Sequence, residues 1–328
     1  MKSFRARGAM LFTVLILFLF HEVSAQACTA FAVKAQDGGV VTGRSYDYSR
    51  YTGFKTKIYK PGKRIKSVYT ETDDSKPFSW KIRQKFITVN NVLSTPAGYL
   101  VAFEGMNRAG ICISGNLADA EYPQDNPQYP TLSSDDVVRY VLSQAASLED
   151  IKRLLSRVNI VSRWKYHYIA FDGDGNSLVT EFRGGKAVFF ENQTTILTNN
   201  PNLDFQKANL NNYANLKIFN EHAITPGSGN QFHGAGMYGL PGDWMSPSRF
   251  ARGHFMIQEG QNFTETTREA LNLAAHIIDS VSLIKGIDTG SSPEGRPIYT
   301  QIQILKDVTN HTLYLKTYDE FQWRKVSF

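Results

Sequence analysis

The chain has 328 residues, of which 42% are hydrophobic and 20% are charged, with a formal net charge of +6 at pH 7. Its basic residues do not form the dense stripe that is typical of nucleic-acid binding, so we expect no nucleic-acid partner. After the first 27 residues, no apolar run approaches the roughly 18 residues that a membrane-spanning helix needs. The composition therefore predicts a protein with a sizeable apolar core.

The first 27 residues have the pattern of a secretory signal peptide. Three basic residues precede an apolar stretch from Met10 to Phe20, and Ala25-Gln26-Ala27 has the small residues of a cleavage site. Cleavage after Ala27 leaves residues 28–328 with a formal charge of about +4. This pattern predicts a periplasmic or secreted protein whose signal peptide, residues 1–27, is removed.

The predicted cleavage makes Cys28 the first residue and places a thiol and a free α-amine on one amino acid. The pKa of an α-amine is about 7.7–8.0 and that of a cysteine thiol about 8.5, so proton transfer between them is nearly isoenergetic. The amine can therefore serve as general base for its own nucleophile in amide hydrolysis. Two alternatives remain open, a small residue without a role and the lipidated cysteine of a lipoprotein, although Ala25 and Gln26 fit a lipoprotein signal poorly.

Residues 28–328 show strands, then helices, then strands again, which predicts one α+β domain. The predicted strands are Cys28–Lys34, Val40–Tyr46, Lys55–Tyr59, Lys85–Val89, Tyr99–Gly105, Gly110–Ser114, Tyr166–Phe171, Ser177–Phe182, Ala187–Glu191, Thr195–Leu197, Tyr299–Lys306 and His311–Thr317. The predicted helices are Val137–Ala145, Ile151–Val158, Ser248–Ile257 and Thr266–Val281. Residues 202–221 mix helical and turn signals, and Gly227–Gly242 is a glycine-rich loop.

Two charged residues, Arg44 and Asp47, lie at the end of the second predicted strand. If this strand pairs with the strand that begins at Cys28, both side chains lie near the new N-terminus. A cation there lowers the pKa of the thiol, and a carboxylate can hold the α-amine. The alternative is an ion pair at a strand end.

Two further polar residues are candidates for the same site. Asn199 ends an apolar strand, and an asparagine amide is a good oxyanion donor, although a plain Asn-Pro turn is the alternative. Arg249 enters a predicted helix beside the glycine-rich loop, where a helix-surface arginine is the alternative. The second cysteine, Cys112, is predicted to be a buried small hydrophobe, because the nucleophile has to stay reduced.

Taken together, these segments resemble the choloylglycine hydrolase family, which includes bile salt hydrolases and penicillin V acylases. The likeness extends over nearly all of residues 28–328, in the expected order. It is carried by Cys28-Thr29-Ala30, Gly43-Arg44 with Asp47, Gly105-Met106-Asn107 with Gly110, Leu197-Thr198-Asn199-Asn200-Pro201, Asn209–Tyr213, Leu240–Asp243, Ser246–Phe250, Ile298–Thr300 and Leu315–Asp319.

The resemblance implies a four-layer αββα sandwich of the N-terminal nucleophile hydrolase type, without metal or cofactor. It implies attack by Cys28, an α-amine anchored by Asp47, and a thiol biased toward thiolate by Arg44 and Arg249. The side-chain amide of Asn199 is then the first oxyanion donor. The second is a backbone N–H just after the strand Gly110–Ser114, which we assign to Asn116 rather than Leu117.

The activity implied by the resemblance is hydrolysis of a carbon–nitrogen bond in a small, linear, non-peptide amide. Conjugated bile salts are the first expectation, because the regions around Asp47–Tyr48 and Asn199–Tyr213 resemble that branch. Penicillin V and N-acyl homoserine lactones are the alternatives, and a lipid-anchored or ligand-binding protein of the same fold is an alternative outside enzymes. The segment Asn202–Asp243 resembles the insertion through which related enzymes form tetramers, which favours a homo-oligomer.

Overall fold

Two antiparallel sheets form the frame of the protein. The computed structural model describes residues 27–68, 78–92, 100–122, 126–161, 164–219, 236–288 and 295–328. In these residues the strands are β1 Thr29–Lys34, β2 Val40–Tyr48, β3 Phe54–Tyr59, β4 Arg64–Lys66, β5 Ser79–Lys81, β6 Phe86–Asn91, β7 Val101–Asn107, β8 Cys112–Leu117, β9 Thr131–Ser133, β10 Asn159–Val161, β11 Tyr166–Phe171, β12 Ser177–Arg183, β13 Lys186–Glu191, β14 Ile196–Leu197, β15 Tyr299–Asp307, β16 Thr312–Thr317 and β17 Arg324–Ser327. Sheet I has the order β14-β1-β2-β15-β16-β17, and sheet II has the order β13-β12-β11-β8-β7-β6-β3.

Helices cover the outer face of each sheet. The α-helices are α1 Val137–Gln144, α2 Leu148–Leu155, α3 Leu203–Asn209, α4 Ser246–Gly260 and α5 Thr267–Val281. Helices α4 and α5 pack on sheet I, and α1 packs on sheet II. Every residue of β2 and β15 is buried, because helices cover one face of sheet I and sheet II covers the other. The layer order is therefore αββα, which confirms the predicted α+β sandwich.

The helix starts follow from local capping. Thr266 and Glu269 form a capping box at the start of α5, in which each side chain accepts a hydrogen bond from the other residue's backbone N–H. The side chain of Ser147 accepts the N–H of Asp150, so α2 begins at Leu148, three residues before the predicted start. A cap satisfies N–H groups that have no partner within the helix, and it therefore decides where the helix begins.

Most predicted strands are confirmed to within a few residues of their bounds. The strand predicted as Gly110–Ser114 runs instead from Cys112 to Leu117, since Gly110 has a φ of +85° and belongs to the turn after β7. Strand β17 and the short pairs β4–β5 and β9–β10 were not predicted from the sequence.

Some sequence predictions fall on residues that the structure does not describe. Residues 1–26 of the predicted signal peptide and residues 220–235 lie outside the described ranges, and the latter include most of the glycine-rich loop. Among the described residues, no helix combines the length and the apolar character needed to cross a membrane.

Candidate active site

Cys28 directly precedes β1 and is fully buried. In the antiparallel register of β1 and β2, Thr29 lies opposite Ser45, which places Cys28 beside Tyr46. Burial raises the pKa of the Cys28 thiol, the positive charge of Arg44 opposes this shift, and Asp47 adds to it. Burial therefore opposes ionisation of the thiol, and the nearby guanidinium of Arg44 favours it.

Arg44 and Asp47 lie on opposite faces of β2, because alternate residues of a strand point to opposite faces. Arg44 points toward sheet II, where its Nη2 donates to the carbonyl of Gly115 at 2.8 Å. Asp47 is on the face toward α4 and α5, as is Ser45. The spacing of three residues thus puts the cation on the inner face of sheet I and the carboxylate on its outer face.

Asp47 is fully buried and accepts hydrogen bonds from two hydroxyl groups, those of Thr300 and Ser45. The Ser45 hydroxyl in turn accepts the backbone N–H of Thr29, at 3.2 Å. Burial raises the pKa of the Asp47 carboxyl to about 6, although Arg249 and the Thr300 hydroxyl oppose the shift. The carboxyl of Asp47 is therefore costly to ionise, and the Ser45 hydroxyl connects it to the backbone at the start of β1.

Arg249 connects the start of β1 with the segment that follows β14. Its Nη1 donates to the carbonyl of Cys28 at 2.9 Å and to Oγ1 of Thr29 at 2.5 Å. Its Nη2 donates to Oδ1 of Asn199 at 3.1 Å. Burial lowers the pKa of Arg249 to about 10, which leaves the guanidinium charged at neutral pH.

A buried charge cluster that the sequence analysis missed lies behind Arg44, between the two sheets. Glu104 of β7 and Lys306 of β15 form an ion pair, and both side chains are fully buried. The Ser114 hydroxyl donates to the same carboxylate, and Nε of Arg44 lies 3.8 Å from its Oε2. The only signal in the sequence was a charged residue inside each of two apolar strands, and this does not tell which residues pair.

Asn199 and Asn116 lie close together but have different contacts. Nδ2 of Asn199 donates to the carbonyl of Leu117 at 2.9 Å, which uses one of its two N–H groups. Nδ2 of Asn116 donates to the carbonyls of Leu197 and Thr198, at 3.0 and 2.8 Å. The side chain of Asn116 therefore supports the segment that leads to Asn199.

The backbone N–H groups of Asn116 and Leu117 point to opposite sides of β8. The N–H of Ala118 bonds to the carbonyl of Lys165, and hydrogen-bonded pairs alternate along an antiparallel ladder. Asn116 is then in a hydrogen-bonded pair with His167, whereas the N–H of Leu117 points away from β11. On that side the pairing of β8 with β7 ends at Ser114. This geometry favours Leu117 over Asn116, the residue expected from the sequence, as the backbone donor.

A small cavity of about 20 Å³ lies where β7 and β8 separate. Tyr166 is one of its walls. Burial is the main cause that raises the pKa of Tyr166, followed by Asp135, Tyr46, Tyr122 and Cys28, so the Cys28 thiol lies within electrostatic range of this wall. The lining is Tyr46, Asn91, Val101, Ala102, Phe103, Gly115, Ser134, Asp135, Val138, Tyr166 and Tyr168. Most of these walls are apolar or aromatic, and the free space between them is close to that of one water molecule.

The other cysteine, Cys112, is a free, fully buried thiol, as predicted, and burial raises its pKa to about 12. Among the described residues, no three His, Cys, Asp or Glu side chains come together as a metal ion would require.

A four-layer αββα sandwich with a cysteine ahead of an inner strand is the fold of the N-terminal nucleophile hydrolases. The family model described as linear amide C–N hydrolases, choloylglycine hydrolase family, matches residues 28–328. The chain therefore belongs to this family. It is thus a hydrolase that acts on carbon–nitrogen bonds of linear amides.

Individual relatives agree with this family. The chain is 28% identical to the bile salt hydrolase/transferase of Lactiplantibacillus plantarum over 70% of this chain and 74% of the relative. It is 25% identical to the bile salt hydrolase/transferase of Clostridium perfringens over 90% of each chain. A crystal structure of a variant conjugated bile acid hydrolase from C. perfringens superposes with a TM-score of 0.75 and 21% identity, covering 92% of each chain. The structure of penicillin V acylase from Agrobacterium tumefaciens superposes with a TM-score of 0.74 and 22% identity, covering 92% of this chain and 86% of that one.

Proposed function

We propose that this protein is a periplasmic or secreted amidohydrolase whose nucleophile is Cys28, made N-terminal by cleavage after Ala27, and that its substrates are conjugated bile salts. One observation carries the assignment of the nucleophile. The side chain of Arg249 contacts Cys28, Thr29 and Asn199 at once, so the nucleophile and the oxyanion donor share one buried cation. The family match also begins at Cys28, the first residue of the proposed mature chain.

The proposed reaction starts with transfer of the thiol proton of Cys28 to its own α-amine. The thiolate attacks the amide carbonyl, and the side-chain N–H of Asn199 and the backbone N–H of Leu117 stabilise the resulting oxyanion. The ammonium then protonates the leaving amine as the carbon–nitrogen bond breaks, which leaves a thioester. Water, activated by the α-amine, hydrolyses the thioester and regenerates the thiol.

Asp47 and Arg44 stabilise different charged groups of this reaction, the α-ammonium and the thiolate. An α-ammonium formed at Cys28 adds a positive charge to those of Arg249 and Arg44, which already favour the ionised carboxyl of Asp47, so the ammonium and the carboxylate stabilise each other. On the other face of β2, the cation of Arg44 favours the thiolate over the thiol. Nη1 of Arg44 is buried and makes no hydrogen bond within the described residues, which leaves a donor for the substrate.

Two observations favour conjugated bile salts as the substrate. Several relatives are bile salt hydrolases by name, and the walls of the small cavity near Cys28 are largely apolar and aromatic, as contact with a ring-bearing acyl group requires. Penicillin V is the second candidate, because penicillin V acylase shares the fold and its acyl group also carries a ring. N-acyl homoserine lactones are the third. A homo-oligomer built on residues 202–243 remains part of the proposal.

A substrate panel tests this proposal. The purified mature protein is assayed with glycine- and taurine-conjugated bile salts, penicillin V and N-acyl homoserine lactones. We expect the fastest turnover with bile salts, and we expect Cys28→Ser or iodoacetamide to abolish it. Cys112→Ser makes the same change at the other buried cysteine and is expected to keep the activity.

Three outcomes would contradict the proposal. Hydrolysis by Cys28→Ser at the unaltered rate removes Cys28 from the mechanism. Faster turnover of penicillin V or of a homoserine lactone replaces the bile salt assignment and keeps the nucleophile. An intact mass or N-terminal sequence that shows an acylated Cys28, or another first residue in active material, excludes the N-terminal thiol.

A further inference from the structure

The segment Leu197–Pro201, which carries the oxyanion donor Asn199, is held by side chains that have no part in the proposed reaction. We propose that His167 and Gln206 are positioning residues, which keep this segment where Asn199 can stabilise the oxyanion. The inference rests on the proposed function, because the position of Asn199 matters only if a tetrahedral oxyanion forms.

His167 holds the segment from sheet II. Its side chain is 2% exposed, and Nε2 lies 2.8 Å from the carbonyl oxygen of Thr198. A carbonyl only accepts hydrogen bonds, so Nε2 carries the proton and donates. Nδ1 lies 3.8 Å from Oε1 of Glu181, which is beyond hydrogen-bond distance, and this carboxylate attracts the ring when the imidazole is protonated.

The position of Glu181 is itself determined by its neighbours. Its Oε1 accepts the backbone N–H of Leu203 at 2.7 Å, and its Oε2 accepts Nε of Arg183 at 2.7 Å. Burial by itself raises the pKa of Glu181, but His167, the N–H of Leu203 and Arg183 together hold this pKa below its ordinary value. A carboxylate that stays ionised and accepts two hydrogen bonds keeps a fixed position beside the imidazole ring.

Gln206 holds the same segment from α3. Its side chain is fully buried, and Nε2 donates to the carbonyls of Asn199 and Pro201, both at 2.6 Å. Its Oε1 accepts the hydroxyl of Thr198 at 2.7 Å. One amide group therefore uses both its donor and its acceptor to hold residues 198–201.

These contacts fix the backbone on both sides of the Asn199 side chain, whose own oxygen is bound by Arg249. An oxyanion donor works only if it already points to where the charge develops. Deleting such a donor reduces kcat by about 10²–10³, so displacing one by a fraction of its hydrogen-bond length is expected to cost about tenfold to a hundredfold.

Four variants of the mature enzyme test the inference. His167→Phe keeps a ring but loses the donor, His167→Gln keeps an N–H near the position of Nε2, and Gln206→Met keeps the length without the amide. His254→Phe is the control, because it makes the same change at a half-buried histidine of α4 that packs on Phe255. Each variant is measured for kcat and KM on the best substrate of the panel and for the rate of Cys28 alkylation by iodoacetamide.

We expect kcat to fall by about tenfold to a hundredfold in His167→Phe and Gln206→Met, with KM within about twofold. Alkylation of the thiolate forms no oxyanion, so its rate is expected to stay within about twofold of the unaltered enzyme. His167→Gln is expected to recover most of the lost kcat, and His254→Phe to lose none.

Two results would overturn the inference. A kcat within about twofold of the unaltered enzyme in either His167→Phe or Gln206→Met shows that Asn199 needs no such support. A fall of kcat and alkylation rate together shows a general structural role. If His167→Phe does not fold, Gln206→Met and His167→Gln decide by the same criteria. Failure of the proposed function differs from both, since turnover is then absent in the unaltered enzyme or survives Cys28→Ser.

Discussion

Glu104→Gln is expected to destabilise the fold strongly, because it removes the negative charge that lies between two buried cations. Glu104 and Lys306 are fully buried, and Arg44 is 1% exposed. Glutamine keeps the shape of the side chain and can still bond to the Ser114 hydroxyl. The variant therefore leaves the ammonium and the guanidinium between the sheets without an opposing charge.

The expected size follows from the burial of the cluster. Removing one partner of a buried ion pair costs about 3–5 kcal/mol, out of an unfolding free energy on the order of 5–15 kcal/mol. At roughly 2 °C per kcal/mol for a domain of this size, Tm is expected to fall by about 6–10 °C. Lys306→Met is expected to cost less, since Arg44 and Glu104 remain as opposite charges. The double variant keeps the original net charge and is expected to recover at least half of the loss.

Urea unfolding at pH 7 of the single and double variants measures these differences. Glu149→Gln makes the same change in an exposed pair with Lys152 and is expected to cost less than about 1 kcal/mol. The reasoning is refuted if Glu104→Gln loses less than about 1 kcal/mol, or if the double variant is no more stable than Glu104→Gln alone.

Two further predictions concern the strand that carries the site. Burial raises the pKa of Asp47 from 3.8 to about 6, so the folded state binds the proton more tightly and stability is lost as the pH rises from about 4 to 6. The expected loss is about 3 kcal/mol, at about 1.4 kcal/mol per pKa unit. The free energy of unfolding measured against pH should show this loss in the unaltered protein and not in Asp47→Asn. Parallel pH profiles of the two proteins would contradict the prediction. Gly43→Ala would place a Cβ 2.3 Å from the buried ring of Phe31, and thermal unfolding should show a loss of about 1–3 kcal/mol. Gly173→Ala, where a Cβ meets no atom within 4 Å, is the control, and an equal loss there would exclude the clash as the cause.

The proposed oxyanion site shows how far prediction from sequence could reach. Asn199 could be proposed because an asparagine at the end of an apolar strand is an unusual donor that matches a family motif. The assignment to Asn116 rather than Leu117 had no firm basis in the sequence, because a shift of one residue reverses which N–H faces the neighbouring strand. The register with β11 favours Leu117.

The sequence by itself determined most of the strands and helices, the signal pattern and the residues around Cys28, since these depend on local periodicity and on short ordered motifs. Arg44 and Asp47 are an example, because three residues along a strand place two side chains on opposite faces. Only the tertiary structure decided which distant residues meet. Glu104 and Lys306 are 202 positions apart, and their pairing depends on how two sheets stack. Such contacts leave no periodic signal in the chain, because they arise between elements rather than within them.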